Sequence, residues 1–550
     1  MMLRRFHYDY VIVGSGAAGS VLAERLSRDP DVTVAVLEAG GSDRHPLHLV
    51  PKGTHLTMTD PRYTKSYTTV PKADGNVDTW FRGRVVGGST TINGMIWNRG
   101  WAPEYDAWEQ SGNPGWNWQR FLEAFKALEN HELGGSAVRG EGGPVAISVA
   151  PRECVAETFV ATLAEHGIGF VEDLNASGAE RVGFTPSNIK RGTRVSAARA
   201  FLRQSRRRRN LTVIDHTEVS RVTFDGTVAT GVEGVRRGRR VQLRANREVL
   251  ICAGGLESPL LLERSGVGDP GVLAAAGVPV VVASPKVGEN LIDHCGSTSF
   301  QVRLKDDAGY NARVNSISRR AWTAFKFLFT RSGVMSFGAY DLVAIYKSDP
   351  AAEHPDTQGF FCAISASQSH PRTKKKRVDG FPGAWFLTYP LFPTSTGSIH
   401  ITGPEPGDQP RLVPSFPTTE HDRQLTLKMY AKAREILATE PFAGLVAEPI
   451  VPAQELRGDH EVLDYATSQG GVGFHTIGTC AIGPGPDDVV DDRLRVRGAS
   501  RLRVVDASVF PMMPAGNTNA PTQAMAWIAA DLILRDAVPA PHAASEKEPM

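Results

Sequence analysis

The 550-residue sequence lacks the features that mark several large classes of protein. Its few cysteines are odd in number and widely spaced, so they spell out neither a disulfide framework nor a zinc or redox pair (Cys154, Cys252, Cys295, Cys362 and Cys480). No stretch approaches the ~20 consecutive apolar residues of a membrane helix. The first predicted strand follows Phe6 directly, which leaves no room for an apolar signal segment. We therefore predict no membrane span, no metal site and a location in the reducing cytoplasm.

An excess of charge of one sign is also missing. The formal net charge is +2, so there is no overall attraction to nucleic acid or to an anionic membrane. Local runs of basic residues lie among turn-forming residues without interleaved aromatics, and we predict no nucleic-acid partner. Hydrophobic residues at 41% and charged residues at 22% are typical of a globular protein. The length predicts two domains or one large domain with a cap.

The N-terminal stretch carries a nucleotide-binding pattern. An apolar run from Asp9 to Val13 leads into Gly14, Gly16 and Gly19, and a helical pattern follows from 20 to 28. Gly14 would make the tight turn from strand to helix, and Gly16 would let a pyrophosphate approach the backbone. Gly19 would let the helix lie close to the strand. The phosphate charge would be held by the free N–H groups at the helix N-terminus.

A second strand begins at Val32 and ends at Glu38, about 20 residues after the glycines. A carboxylate there accepts hydrogen bonds from both hydroxyls of a ribose and would repel a 2′-phosphate. Because strand, glycines, helix, second strand and acid occur in this order, we predict an ADP-binding βαβ unit, with FAD and NAD as the candidate dinucleotides. The residues that this unit assigns to the cofactor are Gly14, Ser15, Gly16, Ala17, Ala18, Gly19, Glu38 and Ala39.

A segment from Arg82 to Gly100 concentrates glycine, hydroxyl residues and an asparagine. Such a segment brings backbone N–H groups against a flat, electron-accepting ring because large side chains do not intervene. It closely resembles the first signature of the glucose–methanol–choline (GMC) family of flavin oxidoreductases. Residues 254–268 resemble the second signature, from which Gly255 and Glu257 depart. Further motifs are similar to the family at 105–108, 112–118, 140–144 and 287–294.

The resemblance implies FAD, with the loop that contains Ile92 lying along the edge of the isoalloxazine ring. Family members that tether FAD covalently through this loop carry His at that position, so we expect non-covalent FAD. The resemblance, together with a strand–turn–helix pattern near the C-terminus, assigns further residues to the cofactor: Arg84, Gly87, Gly88, Ser89, Asn93, Gly94, Met95, Ile96, Val219, Ala253, Asp506, Ala507 and Thr522.

His475 and an asparagine-rich turn carry the predicted chemistry. Oxidising an unactivated alcohol by hydride transfer leaves a proton on oxygen, and a histidine with a pKa near neutrality suits the base that takes it. Asn519 would hold the same oxygen and fix which hydrogen faces the flavin. The positive end of the helix that begins near Asn519 would stabilise negative charge on the reduced flavin. Asn517 is the alternative partner if the register of the loop differs by two.

The GMC resemblance implies the same pair. His475 matches the active-site histidine of the family, and Asn519 is assigned to the position that holds His in some members and Asn in others. An asparagine there resembles the choline-dehydrogenase-like branch.

The predicted fold is α/β, with a Rossmann-like FAD-binding domain and an inserted α+β substrate-binding domain built on an antiparallel sheet. Residues 1–299 are expected to be mainly FAD-binding, 300–469 mainly substrate-binding, and 470–537 a return to the FAD-binding domain. Residues 538–550, rich in Ala, Pro and charge, form a predicted disordered tail. An apolar, aromatic pocket is indicated by Trp97, Trp385 and Phe474, although tryptophan is more often part of a core.

The predicted reaction is FAD-dependent oxidation of an alcohol to a carbonyl, in which His475 takes the hydroxyl proton and hydride passes to flavin N5. The expected partners are a small-molecule alcohol and oxygen or another electron acceptor, and the sequence leaves both identities open. The first alternative is a non-redox enzyme, such as a lyase, that retains FAD on the same fold. A nicotinamide dehydrogenase is disfavoured because the loop at 87–100 has no role in it. The presence of His475 with Asn519 argues against a non-catalytic binding protein.

Overall fold

The protein is described by a computed structural model at residues 6–72, 75–305, 308–369 and 376–537. The predicted disordered tail, 538–550, lies outside the described residues.

The α-helices of the described residues are α1 (Ala17–Leu26), α2 (Thr54–Thr57), α3 (Ala102–Gln110), α4 (Trp118–Leu128), α5 (Cys154–Glu165), α6 (Arg203–Ser205), α7 (Glu257–Arg264), α8 (Pro270–Ala275), α9 (Asn311–Val314), α10 (Ile317–Thr330), α11 (Glu420–Leu437), α12 (Phe442–Leu445), α13 (Asp459–Ser468) and α14 (Asn519–Ala537). Short 3-10 turns are present at Pro46–His48, Pro51–Gly53, Gly88–Thr91, Val334–Ser336 and Ala507–Val509, and a π-helical turn at Ala198–Leu202.

The strands are β1 (His7–Val13), β2 (Val34–Leu37), β3 (Thr64–Thr68), β4 (Thr79–Gly83), β5 (Glu129–His131), β6 (Val145–Val149), β7 (Gly169–Phe170), β8 (Arg181–Phe184), β9 (Pro186–Ser187), β10 (Ile189–Lys190), β11 (Thr193–Arg194), β12 (Leu211–Ile214), β13 (Thr217–Asp225), β14 (Val228–Arg236), β15 (Arg239–Ile251), β16 (Val267–Gly268), β17 (Val282–Ala283), β18 (Thr298–Leu304), β19 (Leu342–Tyr346), β20 (Thr357–Cys362), β21 (Gln368–Ser369), β22 (Lys376–Arg377), β23 (Gly383–Pro390), β24 (Ser398–His400), β25 (Arg411–Val413), β26 (Val446–Val451) and β27 (Leu502–Val504).

The first large sheet has the order β12-β2-β1-β15-β14-β13, and β27 also pairs with β15. Its centre is parallel: β1 lies between β2 and β15, and β27 runs parallel to β15. All four residues of β2 are buried, as expected for a parallel strand covered on both faces. The last residues of β15, 248–251, form part of its parallel ladder with β1. Strands β13, β14 and β15 form an antiparallel meander, and β12 pairs with β2.

Helix α1 packs on β1 and β2, and α14 packs against α1 in the same hydrophobic core. The side chain of Arg25 on α1 is hydrogen-bonded to Asp531 on α14, and its guanidinium lies 4.0 Å from the centre of the Trp527 ring. The N-terminal and C-terminal ends of the chain thus share one hydrophobic core, which brings the glycine-rich turn and the asparagine-rich turn into the same region.

The second large sheet has the order β26-β18-β23-β20-β19-β8-β7. β7 and β8 run parallel, and every other neighbouring pair in this order is antiparallel. Helices α5 and α11 contribute to its separate core, in which the rings of Phe159 and Phe361 stack with centroids 4.2 Å apart. The fold is thus α/β, with a Rossmann-like unit and an antiparallel second sheet, as predicted.

The boundaries 1–299, 300–469 and 470–537 stay predictions. β7 and β8 lie at residues 169–184, within the segment assigned mainly to FAD binding, yet they form the edge of the second sheet. The chain therefore contributes two strands to the second sheet before β18 begins at Thr298.

Side chains define where several helices begin. The Thr419 side chain accepts a hydrogen bond from the N–H of Asp422 at the start of α11, and Asn117 does the same for Arg120 in α4. Ser316 caps α10 through the N–H of Arg319.

Candidate active site

A cavity of about 1570 Å³ runs from the glycine-rich turn after β1 to the faces of β20 and β23 in the second sheet. Its lining includes the start of α1, the 3-10 turn at Gly88–Thr91, the loop before His475 and the turn before α14. A cavity of this size between two sheets is the expected place for a large cofactor together with a substrate.

Glu38 lies at one end of this cavity, at the end of β2. The N–H and the hydroxyl of Ser15 both donate to its Oε2, at 3.1 and 2.6 Å, and the N–H of Gly40 donates to Oε1 at 2.8 Å. Burial raises the pKa of the Glu38 carboxyl, while the hydrogen bonds from Ser15 and Gly40 oppose that shift. The carboxylate is thus held beside the glycine-rich turn, where a ribose would lie.

The glycines around the start of α1 make space that a larger residue would fill. Gly14 has φ +99°, and a Cβ there would meet the carbonyl of Cys252. Gly88 has φ +55°, and a Cβ there would lie 2.8 Å from the Cα of Gly16. The two backbones form a narrow cradle at the N-terminus of α1, whose first N–H groups have no partner within the helix. This arrangement fits the pyrophosphate of a dinucleotide.

The sequence-assigned cofactor residues fall into two groups. Gly19 and Gly87 are absent from the described cavity lining: a Cβ at Gly19 would meet the carbonyl of Gly14, and one at Gly87 would meet the side chain of Thr91. These two glycines permit close packing of the neighbouring segments. The others line the cavity: Gly14, Ser15, Gly16, Ala17, Ala18, Glu38, Ala39, Arg84, Gly88, Ser89, Asn93, Gly94, Met95, Ile96, Val219, Ala253, Asp506, Ala507 and Thr522.

Asp506 connects the C-terminal strand–turn–helix pattern to the first sheet. Its Oδ2 accepts hydrogen bonds from the Gly254 N–H at 2.8 Å and from the Ser258 hydroxyl at 2.6 Å, and its Oδ1 accepts one from the Ser508 N–H. The 3-10 turn that follows begins at Ala507. The Asp506 carboxylate therefore joins the segment after β27 to the segment after β15, and both segments line the cavity.

His475 lies in the cavity wall, and buried groups hold its backbone. The His475 N–H donates to Asp293 Oδ1 at 3.0 Å, and the Thr476 hydroxyl donates to Asp293 Oδ2 at 2.7 Å. The guanidinium of Arg82 lies 3.7 Å from the same carboxylate. Burial, with a smaller contribution from the charge of Arg82, lowers the pKa of His475 to about 3. The imidazole is therefore neutral at ordinary pH, and its pKa lies below the near-neutral value expected from the sequence because the ring is buried.

The side chain that reaches His475 is Asn517. Its Nδ2 lies 3.0 Å from His475 Nε2. Asn519 instead donates from Nδ2 to Asn188 Oδ1 at 2.9 Å, and its Oδ1 accepts from Gln523 at 3.0 Å. The predicted pairing of His475 with Asn519 is thus replaced by the alternative two residues earlier. The physical reason is that α14 already begins at Asn519, which turns that side chain toward Gln523 one helical turn away.

Two further residues, which sequence reasoning missed, orient Asn517. Gln358 on β20 donates from Nε2 to Asn517 Oδ1 at 3.3 Å, and Asn98 donates to Gln358 Oε1 at 3.1 Å. Both side chains are buried. With its oxygen engaged by Gln358, Asn517 presents its N–H group to His475. Gln358 directly precedes the apolar run Gly359–Cys362, and nothing in this local sequence indicates that it contacts Asn517.

His294 contacts His475 on the side of the ring opposite Asn517. The two Nδ1 atoms are 2.9 Å apart, and the His294 ring stacks on Tyr389 with centroids 4.4 Å apart. Burial, followed by the neighbouring His475, lowers the pKa of His294 well below its usual value. The position of His294 thus orients the imidazole of His475.

Aromatic and aliphatic side chains line the cavity where it faces the second sheet: Tyr340, Phe360, Ile364, Trp385, Leu387 and Tyr389. Two of the three predicted pocket aromatics, Trp385 and Phe474, are among the lining residues. Trp97 is instead fully buried in the first core, where its Nε1 donates to Glu129 at 2.7 Å. Lys52 also lines this end, with Nζ 3.2 Å from the carbonyl of Ala339.

Within the described ranges, no group of three or more His, Cys, Asp or Glu residues is positioned to hold a metal ion. Likewise, among the helices of the described residues none is long and apolar enough to cross a membrane. All five cysteines are free thiols. The cytoplasmic location stays a prediction.

Comparison with known proteins adds an independent line of information. Models of the GMC oxidoreductase family match residues 8–296 and 393–526. An alcohol dehydrogenase [acceptor] of Pseudomonas putida is 34% identical over 96% of this chain and 96% of its own. The mitochondrial choline dehydrogenase of Homo sapiens is 35% identical over 96% of this chain and 90% of its own. A crystal structure of pyridoxine 4-oxidase from Mesorbium loti has a TM-score of 0.83 and 31% identity, and the match covers 95% of this chain and 98% of that one.

Proposed function

Because this chain belongs to the GMC oxidoreductase family and is an FAD-dependent enzyme that oxidises CH–OH groups, we propose that His475 is its catalytic base and Asn517 its partner. FAD, when bound, supplies the acceptor for the hydride that leaves the alcohol carbon. The observation that carries the proposal is the distance of 3.0 Å between Asn517 Nδ2 and His475 Nε2 in the wall of the cavity.

In this proposal, His475 accepts the hydroxyl proton at Nε2. Asn517 donates toward Nε2, so this nitrogen is the unprotonated one and the ring proton of neutral His475 is on Nδ1. Nδ1–H then donates to His294 Nδ1, which fixes both the tautomer and the plane of the ring. A substrate hydroxyl that replaces the Asn517–His475 contact would donate to Nε2 and accept from Asn517 Nδ2 at the same oxygen. That pair of bonds orients the C–H bond that is to be broken.

We propose that the cofactor is held without a covalent bond. The segment from Asn93 to Ile96 would lie along the flavin, and Ile92 offers no nucleophile for attachment. Gly14 to Ala18, with Glu38, would hold the ADP part. Thr522, in the first turn of α14, would place the positive end of that helix at the pyrimidine side of the flavin.

A neutral, largely apolar alcohol is the substrate class that the lining favours. Among the described residues between 300 and 469 that line the cavity, none is Asp or Glu, so a quaternary ammonium group would find no carboxylate partner there. Glu257, which lines the cavity from α7, is already paired with Lys65 at 2.6 Å. Lys52 adds positive charge at this end. Choline, the substrate in the name of one relative, therefore suits this site less well than an aromatic or aliphatic alcohol.

The electron acceptor is proposed to be oxygen or another small oxidant, in keeping with relatives that are named both as dehydrogenases and as an oxidase. The non-redox alternative gains no support from these relatives, since each is named for oxidation. The cytoplasm stays the proposed location.

The test is an anaerobic titration of the purified flavoprotein with a panel of alcohols. We expect benzylic or medium-chain aliphatic alcohols to bleach the flavin absorbance, and choline to bleach it far more slowly. Admission of air then separates the two acceptor classes, because an oxidase regains its colour at once. A flavoprotein that no alcohol bleaches, although dithionite does, would contradict the proposal.

Two controls accompany that titration. His475→Gln should retain the flavin spectrum and lose turnover by roughly 10²- to 10⁴-fold, the usual contribution of a general base. Acid precipitation of the wild-type protein should release all of the FAD into the supernatant. A yellow pellet would show a covalent bond and overturn the non-covalent assignment.

A further inference from the structure

Helix α10, Ile317–Thr330, exposes an apolar face to the outside of the protein. Only Phe327 among its residues is buried. Large hydrophobic side chains are exposed along it: Ile317 (87%), Trp322 (66%), Phe325 (51%), Leu328 (62%) and Phe329 (74%). Monomeric proteins rarely leave several neighbouring side chains of this size in water, and such a patch marks an interaction site.

The aromatic members of this face form an ordered row. Trp322 and Phe325 stack with ring centroids 5.7 Å apart and planes inclined by 16°, and Phe325 lies 4.5 Å from Phe329. Their spacing of three and four residues places them on one side of the helix, opposite Phe327. The helix is therefore apolar on two sides, of which one packs on the protein and the other has no partner in the described structure.

The second observation is the charge around the aromatic row. Residues 308–340 contain five cationic side chains and no Asp or Glu, although the whole chain is nearly balanced at 61 basic to 59 acidic residues. These cations are exposed, and no ion pair joins any of them to a carboxylate in the part of the chain that the structure describes: Arg313, Arg319, Arg320, Lys326 and Arg331. Arg319 and Lys326, seven residues apart, lie along one edge of the aromatic row.

The third observation is the position of the helix relative to the cavity. Arg320, Thr323 and Ala324 line the cavity, and Arg320 and Ala324 are also exposed. The same turns of helix that carry Trp322 and Phe325 on the outside therefore form part of the rim of the active-site cavity. Whatever binds the outer face of α10 lies beside that rim.

We propose that α10 docks this enzyme on the surface of an anionic lipid bilayer, with its aromatic row in the headgroup region and its cations on the lipid phosphates. A helix that combines Trp, Phe and Leu on one face with Lys and Arg beside them has the composition of an interfacial membrane helix. Each cation near an anionic surface adds attraction that a neutral surface does not provide.

A second copy of the chain is a poorer occupant for this face. Symmetric pairing of two α10 helices would bring two sets of five unpaired cations together, and like charges directly opposed destabilise an interface. Docking beside the rim also has a chemical consequence, which rests on the proposed function. An apolar alcohol dissolved in the bilayer would reach the rim without crossing bulk water.

The experiment is co-sedimentation of the FAD-loaded full chain with vesicles of phosphatidylcholine and with vesicles of equal parts phosphatidylcholine and phosphatidylglycerol. We expect binding to the anionic vesicles to be stronger by roughly tenfold or more. Brominated acyl chains in these vesicles should quench part of the tryptophan fluorescence, and Trp322→Phe should remove that quenching. Quenching that persists in Trp322→Phe would place another surface on the lipid and contradict the proposal.

Two variants on α10, each compared with a control variant elsewhere on the surface, test whether α10 is the part of the protein that binds the vesicles. Phe325→Ser with Phe329→Ser should abolish sedimentation with anionic vesicles, whereas the control Phe170→Ser, which alters an exposed phenylalanine on β7, should not. Arg319→Glu with Lys326→Glu should weaken binding by roughly tenfold, and Arg240→Glu with Arg457→Glu, exposed elsewhere, should leave it unchanged. Thermal unfolding of all variants near the wild-type temperature shows that they are folded.

Three outcomes would overturn the proposal: absence of binding to either kind of vesicle, equal binding to both kinds, or a concentration-dependent dimer that Phe325→Ser with Phe329→Ser dissociates. Turnover of a water-soluble alcohol separates this proposal from the catalytic one. The variant with Phe325→Ser and Phe329→Ser should keep that turnover but no longer bind the vesicles. If turnover is missing in the wild type but vesicle binding is intact, only the catalytic proposal fails.

Discussion

His294 and His475 face each other through their Nδ1 atoms at 2.9 Å, with ring planes inclined by 87°. Both rings are neutral, because burial lowers the pKa of each. Two neutral imidazoles joined in this way must place the shared proton on one Nδ1 only. The Asn517 N–H group at the opposite nitrogen of His475 assigns that proton to His475 and leaves His294 as the acceptor.

Replacement of His294 tests this assignment. His294→Asn retains an acceptor oxygen near the place of Nδ1, whereas His294→Phe keeps the stacking on Tyr389 and removes the acceptor. We expect the phenylalanine variant to lose kcat by roughly tenfold, the equivalent of one buried donor left without a partner, and the asparagine variant to lose much less. KM should change little in both. Equal losses in the two variants would show that His294 acts through packing and not through its nitrogen.

Alanine substitutions of Asn517 and Asn519 should have different effects, the first on kcat and the second on stability. Asn517→Ala removes the group that faces His475 Nε2, so kcat should fall roughly ten- to hundredfold while flavin content is retained. Asn519→Ala breaks the hydrogen bonds to Asn188 and Gln523, which should lower the free energy of unfolding by roughly 1 kcal/mol with kcat within about threefold of the wild type. Steady-state kinetics and thermal unfolding measure the two effects. The reverse assignment of phenotypes would restore Asn519 as the partner of His475.

The pH dependence of kcat/KM follows from the low pKa of His475. A base is active in its neutral form, so a pKa lowered by burial to about 3 keeps the enzyme active as the pH falls below 6.5. Arg82→Gln removes the positive charge that contributes to this lowering, and the acid limb of the profile should move to higher pH. Arg82→Lys keeps the charge and serves as the control. An acid limb that does not move in Arg82→Gln would exclude His475 as the titrating base.

Substitution of Gly16 by alanine should lower FAD affinity, whereas substitution of Gly19 should lower the free energy of unfolding. A Cβ at Gly16 would have no protein atom nearer than the Cα of Gly88 at 4.0 Å, so Gly16→Ala should fold and lose FAD affinity by roughly tenfold or more. A Cβ at Gly19 would collide with the carbonyl of Gly14, and Gly19→Ala should lose roughly 1–3 kcal/mol of unfolding free energy. Flavin fluorescence titration and denaturant unfolding distinguish these results. Full FAD affinity in Gly16→Ala would place the pyrophosphate elsewhere.

The nucleotide-binding half could be predicted from sequence because its signals are local. The strand before Gly14, the helix after it and the strand that ends near Glu38 are contiguous and have strong periodicity, and they appear as β1, α1 and β2. The asparagine that contacts His475 could not be chosen in the same way. Asn517 and Asn519 differ by two positions in one turn, and only the start of α14 at Asn519 decides which side chain is free to face His475.

Two other features depend on contacts between distant parts of the chain. Gln358 orients Asn517 across 159 positions of sequence, and no local pattern indicates such a pair. The apolar face of α10 resembles an ordinary core-facing stripe in the sequence. Only the fold shows that Trp322 and Phe329 point away from the protein.

The contact of Gln358 with Asn517 has a consequence for protein engineering. Gln358 belongs to β20 of the second sheet, whereas Asn517 and His475 belong to the C-terminal return of the chain. A chimera that receives its second sheet from another enzyme, in order to gain a new specificity, would also exchange Gln358, the residue that orients the Asn517 amide. Such a graft is expected to bind its new substrate and turn over slowly unless glutamine is kept at the position of 358. In the proposed mechanism, a change of specificity made through the second sheet therefore also changes the catalytic rate.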